Sequence, residues 1–185
     1  MSPSPTSPSD SRRTPPRPKS EFILGIDPGT AATGWGLIRR EGNRLRAVSC
    51  GTWRTKARDP LPQRLVQLAQ ALDEFLENHH PDGIAIEQAF LGKNIQSTMR
   101  LGEARGALML TCAKRNIPIW EYPTATVKKS VVGNGRADKT QVRYMLVKLL
   151  NMTTAPESLD ASDALGLAFT LASEWNYAVA QAARK

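Results

Sequence analysis

The chain has 185 residues and a formal net charge of +8, from 25 Lys and Arg against 17 Asp and Glu. Its length corresponds to about one domain. Its 2 cysteines and 2 adjacent histidines are too few for a disulfide framework or a zinc site of spaced ligands. No run approaches the roughly 18 consecutive apolar residues of a membrane-spanning helix, and the N-terminus lacks the apolar core of a secretory signal. The sequence therefore predicts a cytoplasmic protein without a membrane segment, and the positive charge favours a polyanionic partner.

Residues 1–20 differ in composition from the rest of the chain. They include six Pro, six Ser and no large apolar residue after Met1. Such a segment cannot bury enough apolar surface to offset the entropy lost on ordering, so we predict a disordered tail over 1–20 and one globular domain over 21–180. The tail has a net charge of +3, from four basic residues and Asp10, and it either adds loose phosphate contacts or is a passive extension.

The pattern of apolar residues predicts the secondary structure from Glu21 onward. Short apolar runs predict strands, and apolar positions at a helical period predict helices. In chain order these are strands over 22–27, 35–40 and 45–53, a helix over 61–80, a strand over 83–88, a helix over 94–116, a strand over 117–122, and helices near 124–131, 139–151 and 156–175. Three consecutive strands predict an antiparallel meander, and strands that alternate with helices add in parallel. We therefore expect an α/β fold with a mixed five-stranded sheet and helices on both faces.

Two acids end predicted strands in the same way. Asp27 follows the apolar run Phe-Ile-Leu-Gly-Ile, and Glu87 follows Ile-Ala-Ile. Runs that are apolar on both faces are typical of central strands, and open α/β sheets bind ligands outside the carboxyl ends of such strands. If the two strands are neighbours, the two carboxylates lie side by side at that edge. The alternative is that each acid only caps a turn.

The last predicted helix carries two further acids in an otherwise apolar sequence. Asp160 and Asp163 are three residues apart, so they share one face of the helix. The helix dipole alone explains an acid in the first turn, but it explains Asp163, about a turn further in, less well. Because an unpaired buried carboxylate costs several kcal/mol, we expect these acids to have partners.

Four carboxylates brought together repel one another, so such a cluster needs cations. At ~4 Å and an effective dielectric constant of ~20, each pair costs about 4 kcal/mol. Two divalent ions would neutralise the four charges, and carboxylate oxygens suit Mg²⁺ or Mn²⁺ rather than zinc. A pair of such ions promotes in-line attack of water on a phosphodiester. An acidic metal centre in a basic domain thus indicates a metal-dependent nuclease.

Several stretches of the chain closely resemble the RuvC family of Holliday-junction resolvases. They occur in the family's order over residues 22–175, and they are 23–38 (ILGIDPGTAATGWGLI), 85–94 (AIEQAFLGKN), 101–106 (LGEARG), 121–142 (EYPTATVKKSVVGNGRADKTQV) and 159–168 (LDASDALGLA). The first stretch alone also resembles YqgF-type nucleases and the phosphate loops of actin-like kinases. The stretches together resemble RuvC specifically.

This resemblance implies an RNase H-like fold and a homodimer that cuts four-way junction DNA. It implies that the catalytic metal ligands are Asp27, Glu87, Asp160 and Asp163, with Mg²⁺ or Mn²⁺ as cofactor and two ions per site. It also implies that Lys128 and Lys139 contact DNA near the scissile phosphate and that Phe90 stacks on a base at the opened crossover. Further predicted DNA contacts are Lys93, Lys129 and Arg136. The resemblance also suggests a branch-migration motor complex as a partner.

These assignments have alternatives. Phe90 could instead pack in the core, and the lysines could belong to a solvated basic face. The helix over 94–116 is the predicted dimer contact because its small residues allow close approach, although they could also pack on the sheet; they are Gly102, Ala104, Gly106 and Ala107. The competing functions are a YqgF-like nuclease acting on RNA, a junction-binding module that does not cut, and an actin-like phosphotransferase, for which 185 residues are too few.

Overall fold

In the computed structural model, which describes residues 20–88 and 94–184, the chain folds around a five-stranded sheet. The strands are β1 (Ser20–Asp27), β2 (Ala32–Glu41), β3 (Arg44–Arg54), β4 (Gly83–Glu87) and β5 (Ile119–Tyr122). Every predicted strand is present. Ser20, which we predicted to be the last residue of the disordered tail, instead begins β1 and pairs with Glu41, because the ladder between β1 and β2 extends to that residue. The rest of the predicted tail lies outside the described residues.

The strand order is β3-β2-β1-β4-β5, so β1 lies at the centre of the sheet. β1 pairs with β2 and β2 with β3 in antiparallel orientation, and Gly42 forms the tight turn between β2 and β3 with a φ of 60°. β4 pairs in parallel with β1, and β5 pairs in parallel with β4. This arrangement confirms the predicted meander with parallel additions. It also places the carboxyl ends of β1, β4 and β5 at one edge of the sheet.

Helices cover both faces of the sheet. Those in the described residues are α1 (Leu61–His79), α2 (Ile95–Lys114), α3 (Thr124–Val132), α4 (Lys139–Leu149), α5 (Leu159–Ser173) and α6 (Trp175–Ala182). α1 and α2 pack on one face, in a cluster that includes Leu72 and Leu108. The other four helices pack on the opposite face, in a cluster that includes Val127, Leu146 and Leu165. None of these helices is long and apolar enough to cross a bilayer.

The last predicted helix differs from the structure at both ends. α5 begins at Leu159 rather than near 156, because the hydroxyl of Ser158 accepts a hydrogen bond from the amide of Ala161 at 3.0 Å and caps the helix there. It ends at Ser173, because Glu174 leaves helical geometry with φ −110° and ψ 17°, and α6 begins after it. Within α5, 11 of 15 residues are buried, so this helix is the centre of its face.

α5 crosses β1 and β2 very closely because both strands have glycine where the helix passes. A Cβ at Gly25 would lie 2.7 Å from the amide nitrogen of Ala168, and a Cβ at Gly34 would overlap the carbonyl group of Asp160. Only a residue without a Cβ permits this approach. The strands therefore fix the position of α5 and of the acids on its first turns.

Candidate active site

Asp27 and Glu87 are neighbours at the carboxyl ends of two adjacent strands. Ile26 pairs with Ile86 in the parallel register of β1 and β4, and the next residue on each strand is the acid. Adjacent strands are about 4.8 Å apart, so the two side chains start from neighbouring backbone positions. The structure thus brings together the two acids that end apolar runs in the sequence.

Asp160 and Asp163 reach the same edge of the sheet from α5. The backbone of Asp160 rests on Gly34, which is the partner of Asp27 in the register of β1 and β2. Asp163 lines a cavity of about 70 Å³ together with Asp27 and Glu87. Neither aspartate caps the helix, because Ser158 does so. Asp160 does lie in the first turn, where the helix dipole favours an acid, but the dipole does not account for Asp163, and both aspartates lie at the same end of the sheet as Asp27.

Two lysines line the same cavity, Lys128 on α3 and Lys139 at the start of α4. The ammonium group of Lys139 forms a hydrogen-bonded ion pair with the carboxylate of Asp163. This contact raises the pKa of Lys139 against the opposing effect of burial, and the charges of Asp163, Asp27 and Asp160 act in the same direction as the contact. Lys139 therefore stays protonated and supplies a positive charge beside the acids.

Asp27 is strongly affected by its surroundings. Its pKa rises from 3.8 to about 8, first because the side chain is buried and then because Glu87, Asp163 and Asp160 carry negative charge. The charge of Lys139 acts in the opposite direction. All three other predicted acids therefore lie close enough to Asp27 to act on its protonation.

Two residues to which the sequence analysis gave no role hold Glu87. The hydroxyl of Thr124, the first residue of α3, donates a hydrogen bond to Glu87 Oε1 at 2.5 Å. Arg105 Nε, on α2, donates to the main-chain carbonyl oxygen of Glu87 at 3.1 Å, and the same guanidinium forms an ion pair with Glu121 of β5. Both residues lie in stretches that carry the family resemblance. No other sequence feature marked them, because threonine at a helix start and arginine within a helix are common for structural reasons alone.

Comparison with known proteins agrees with this geometry. The family described as "Crossover junction endodeoxyribonuclease RuvC" matches residues 23–171 of the chain. The chain belongs to the RuvC family. A RuvC from Desulfitobacterium hafniense is 41% identical over 147 residues, which are 80% of this chain and 89% of that protein. A RuvC from Azorhizobium caulinodans is 45% identical over 148 residues, which are 80% of this chain and 87% of that protein.

A solved RuvC structure has the same architecture. Thermus thermophilus RuvC in complex with a Holliday junction substrate matches with a TM-score of 0.80 and 25% sequence identity, covering 85% of this chain and 96% of that one. The mixed sheet between two helical layers is thus the RNase H-like fold of RuvC, as the sequence resemblance implies.

The other DNA contacts predicted from the RuvC resemblance do not line the cavity. Lys129 is exposed on α3, and Arg136 is exposed in the turn between α3 and α4. Phe90 and Lys93 lie outside the described residues. Of the described candidates, Lys128 and Lys139 are therefore the two that the structure places beside the acids.

The donor atoms at this RuvC-family site suit a hard divalent cation. The four acids offer carboxylate oxygens, which Mg²⁺ and Mn²⁺ prefer, and burial together with the negative charge of the neighbouring acids raises the pKa of Asp27. In the described parts of the chain, no three acids, histidines or cysteines already converge into a metal site. Two of the four carboxylates are instead engaged by protein groups, Glu87 by Thr124 and Asp163 by Lys139. A bound cation would compete with Lys139 for an oxygen of Asp163, whereas Glu87 has a second carboxylate oxygen that Thr124 does not engage.

Proposed function

We propose that this protein is an endonuclease that resolves four-way DNA (Holliday) junctions by hydrolysing one phosphodiester in each of two symmetric strands. The observation that carries the proposal is the placement of acids from β1, β4 and α5 at one edge of the sheet, in a chain of the RuvC family. The T. thermophilus relative is described in complex with a Holliday junction substrate. A net charge of +8 suits a substrate whose phosphates extend beyond the site.

In the proposed mechanism, the metal ligands would be Asp27, Glu87, Asp160 and Asp163, which would hold two Mg²⁺ or Mn²⁺ ions. Ions bound there would supply an activated water and stabilise the leaving 3′ oxygen, so that the products would carry a 5′ phosphate and a 3′ hydroxyl. Asp27 must release its proton before it can act as a ligand, and its raised pKa makes assembly of the site sensitive to pH. Thr124 orients the carboxylate of Glu87, while Arg105 fixes the backbone that carries it.

The lysines in the cavity supply positive charge to the DNA backbone. Lys139 stays protonated because it lies beside Asp163 and the other acids. Lys128 lines the same cavity, and within residues 20–88 and 94–184 no acid pairs with it. We propose that both lysines contact phosphates next to the cut. Phe90 is predicted to stack on a base at the opened crossover, and the other predicted DNA contacts are Lys93, Lys129 and Arg136.

Two symmetric cuts need two active sites related by a two-fold axis, and a homodimer supplies them. We propose that the exposed face of α2 is the dimer contact. Its members recur at helical spacing and are Ile95, Met99, Gly102, Gly106 and Leu110. A Cβ at Gly102 or Gly106 would meet nothing within 4 Å, so a second helix has room to approach. Ala104, which we predicted to take part, is instead fully buried because it faces the sheet, so its assignment to the contact was wrong.

The test is a cleavage assay on a synthetic four-way junction with a short mobile core, with linear duplex for comparison. The full chain is compared with Asp27→Asn in EDTA, Mg²⁺ and Mn²⁺. The matched control is Asp82→Asn, at the opposite end of the sheet, where the Asp82 carboxylate accepts a hydrogen bond from the amide of Phe22 at 2.8 Å. We expect paired, symmetric, metal-dependent nicks from the wild type and from Asp82→Asn, and no nicks from Asp27→Asn.

Other outcomes would select the competing functions. Tight junction binding without cleavage in any metal would overturn the nuclease and leave a junction-binding module. Preferential cleavage of RNA would favour a YqgF-like nuclease. The resemblance also suggests action in the cytoplasm, at the nucleoid, together with a branch-migration motor complex. Faster cleavage when such a complex is added would support that partnership.

A further inference from the structure

We propose that the loop between β3 and α1 is a second phosphate-binding element, on the side of the acids away from Lys128. Its cations are Arg54, at the end of β3, and Lys56 and Arg58, in the turn that follows. We call these three residues the basic loop. The inference rests on the proposed function, because it assigns further contacts to the same DNA substrate.

The basic loop lies at the same end of the sheet as the acids. Asp27 pairs with Gly34, and Gly34 pairs with Thr52 of β3. Two strand spacings, or about 10 Å, therefore separate Asp27 from Thr52, and Arg54 lies about 7 Å further along β3. The resulting separation of Asp27 and Arg54 is about 12 Å, which corresponds to three or four nucleotides at about 3.4 Å per nucleotide.

The basic loop and Lys128 lie on opposite sides of the acids, each next to one of the two edge strands of the sheet. The basic loop follows β3, which is one edge strand, and α3 with Lys128 follows β5, which is the other. The acid-bearing strands β1 and β4 lie between them. A DNA backbone that crosses the acids therefore meets positive charge both before and after the cut.

Hydrogen bonds fix the basic loop to the segment that follows Asp27. The amide of Thr55 donates to the carbonyl of Ala31 at 3.0 Å, and the Thr55 hydroxyl donates to the carbonyl of Thr30 at 2.6 Å. Arg64 of α1 donates to the same Thr30 carbonyl at 3.2 Å and to the Thr55 hydroxyl at 3.0 Å. These bonds hold the loop in a fixed position relative to Asp27, so little ordering is needed when DNA binds.

The cations of the basic loop are available to an anion. All three are exposed, and none makes a side-chain hydrogen bond or ion pair with another described residue. The neighbouring acid, Asp59, accepts a hydrogen bond from the side-chain amide of Gln67 at 2.9 Å. Several other arginines of the domain do pair with acids, namely Arg39, Arg40, Arg105 and Arg115. Unpaired cations at this edge therefore suit an external phosphate.

The test measures how junction binding depends on salt, with the full chain in an Asp27→Asn background so that the DNA is bound and not cut. Arg54→Gln/Lys56→Gln removes two charges of the basic loop. Arg44→Gln/Arg46→Gln is the matched control, because it removes two exposed charges with the same spacing at the opposite end of β3. Loss of two phosphate contacts should reduce the slope of log K against log salt by about 2 in the loop variant, and the control should keep the full slope.

A second measurement locates the contacts on the DNA. Single methylphosphonates, each of which removes one backbone charge, are placed along both strands of an arm. A methylphosphonate about three or four nucleotides from the cut should weaken DNA binding by the protein with the intact basic loop. The same methylphosphonate should cause no further loss of affinity in Arg54→Gln/Lys56→Gln. If Arg54→Gln disturbs β3, as thermal unfolding would show, Lys56→Gln/Arg58→Gln repeats the test outside the strand.

The outcomes separate the two proposals. Equal salt slopes for the loop variant and the Arg44/Arg46 control would overturn the basic loop as a binding element while leaving the nuclease intact. A wild type that neither binds nor cuts four-way junctions would instead overturn the proposed function. If the loop variant loses the same affinity for junctions of different sequence, the loop contacts the DNA backbone rather than the bases.

Discussion

Arg105 Nε lies 3.1 Å from the main-chain carbonyl oxygen of Glu87, and the same guanidinium pairs with Glu121. Arg105 belongs to α2, the helix whose outer face we propose as the dimer contact, whereas the two acids lie on β4 and β5. One side chain thus ties this helix to two strand ends at the edge of the site. Because of this contact, a displacement of α2 would also move the backbone of Glu87.

Arg105→Gln is therefore expected to slow cleavage more than it weakens binding. Because a misplacement of ~1 Å in a catalytic group can cost about a hundredfold in rate, we expect a loss of about ten- to a hundredfold. The measurement is single-turnover cleavage at saturating protein, with junction affinity determined separately. Arg100→Gln, at an exposed position of the same helix, is the control. Equal cleavage rates for the two variants would contradict a positioning role for Arg105.

Thr124→Val removes the hydroxyl that donates to Glu87 Oε1, whereas Thr124→Ser keeps it. Groups that orient metal ligands typically change metal affinity or activity about 10- to 100-fold. We expect Thr124→Val to need more Mg²⁺ for half-maximal cleavage and to bind Mn²⁺ more weakly in calorimetry without DNA. Thr124→Ser should resemble the wild type in both measurements. Identical metal dependence for the valine and serine variants would show that this hydrogen bond does not orient Glu87.

Gly34→Ala places a Cβ against the carbonyl group of Asp160. Overpacking of this kind typically costs about 1–3 kcal/mol and shifts the backbone, so α5 must move off the sheet. We expect the melting temperature and the cleavage rate to fall together. Asp27→Asn is the comparison, because it is expected to abolish cleavage without lowering the melting temperature. Wild-type cleavage by Gly34→Ala would contradict a direct contact between α5 and β2.

The raised pKa of Asp27 makes the stability of the metal-free protein depend on pH. Between pH 3.8 and about pH 8, the folded carboxyl group holds a proton that the unfolded chain releases. The contribution of Asp27 to the free energy of unfolding therefore falls as pH rises through this window and levels off above it. We expect the melting temperature in EDTA to fall more steeply for the wild type than for Asp27→Asn. Parallel curves for the two proteins would count against a raised pKa.

Met99→Glu tests the proposed dimer face of α2. Met99 is 63% exposed, so a charge is tolerated in a monomer but is buried in a dimer that uses this face. Sedimentation should show a dimer for the wild type and a monomer for Met99→Glu, with loss of paired cuts. Val66→Glu, at a 54% exposed position of α1, is the control and should remain dimeric. A dimeric Met99→Glu variant would place the contact elsewhere.

The acids at the candidate site could be predicted because local patterns mark them. Asp27 and Glu87 end apolar runs, and Asp160 and Asp163 share a helix face at their spacing. The glycines that let α5 approach the strands could not be predicted, since glycine in a strand has several structural explanations. The roles of Arg105 and Thr124 depend on contacts across 18 and 37 residues of sequence to Glu87. The basic loop likewise could not be predicted, because only the strand register places it near Asp27.

α5 carries Asp160 and Asp163, and 11 of its 15 residues are buried. Backbone amides in so deeply buried a helix exchange their hydrogens with solvent mainly through opening of the whole domain. The two aspartates lie in the first turns of this helix and are only partly buried, but the segment that anchors them to the sheet opens last. Because α5 leaves the sheet only when the domain unfolds, denaturant should end catalysis and native structure in a single cooperative step.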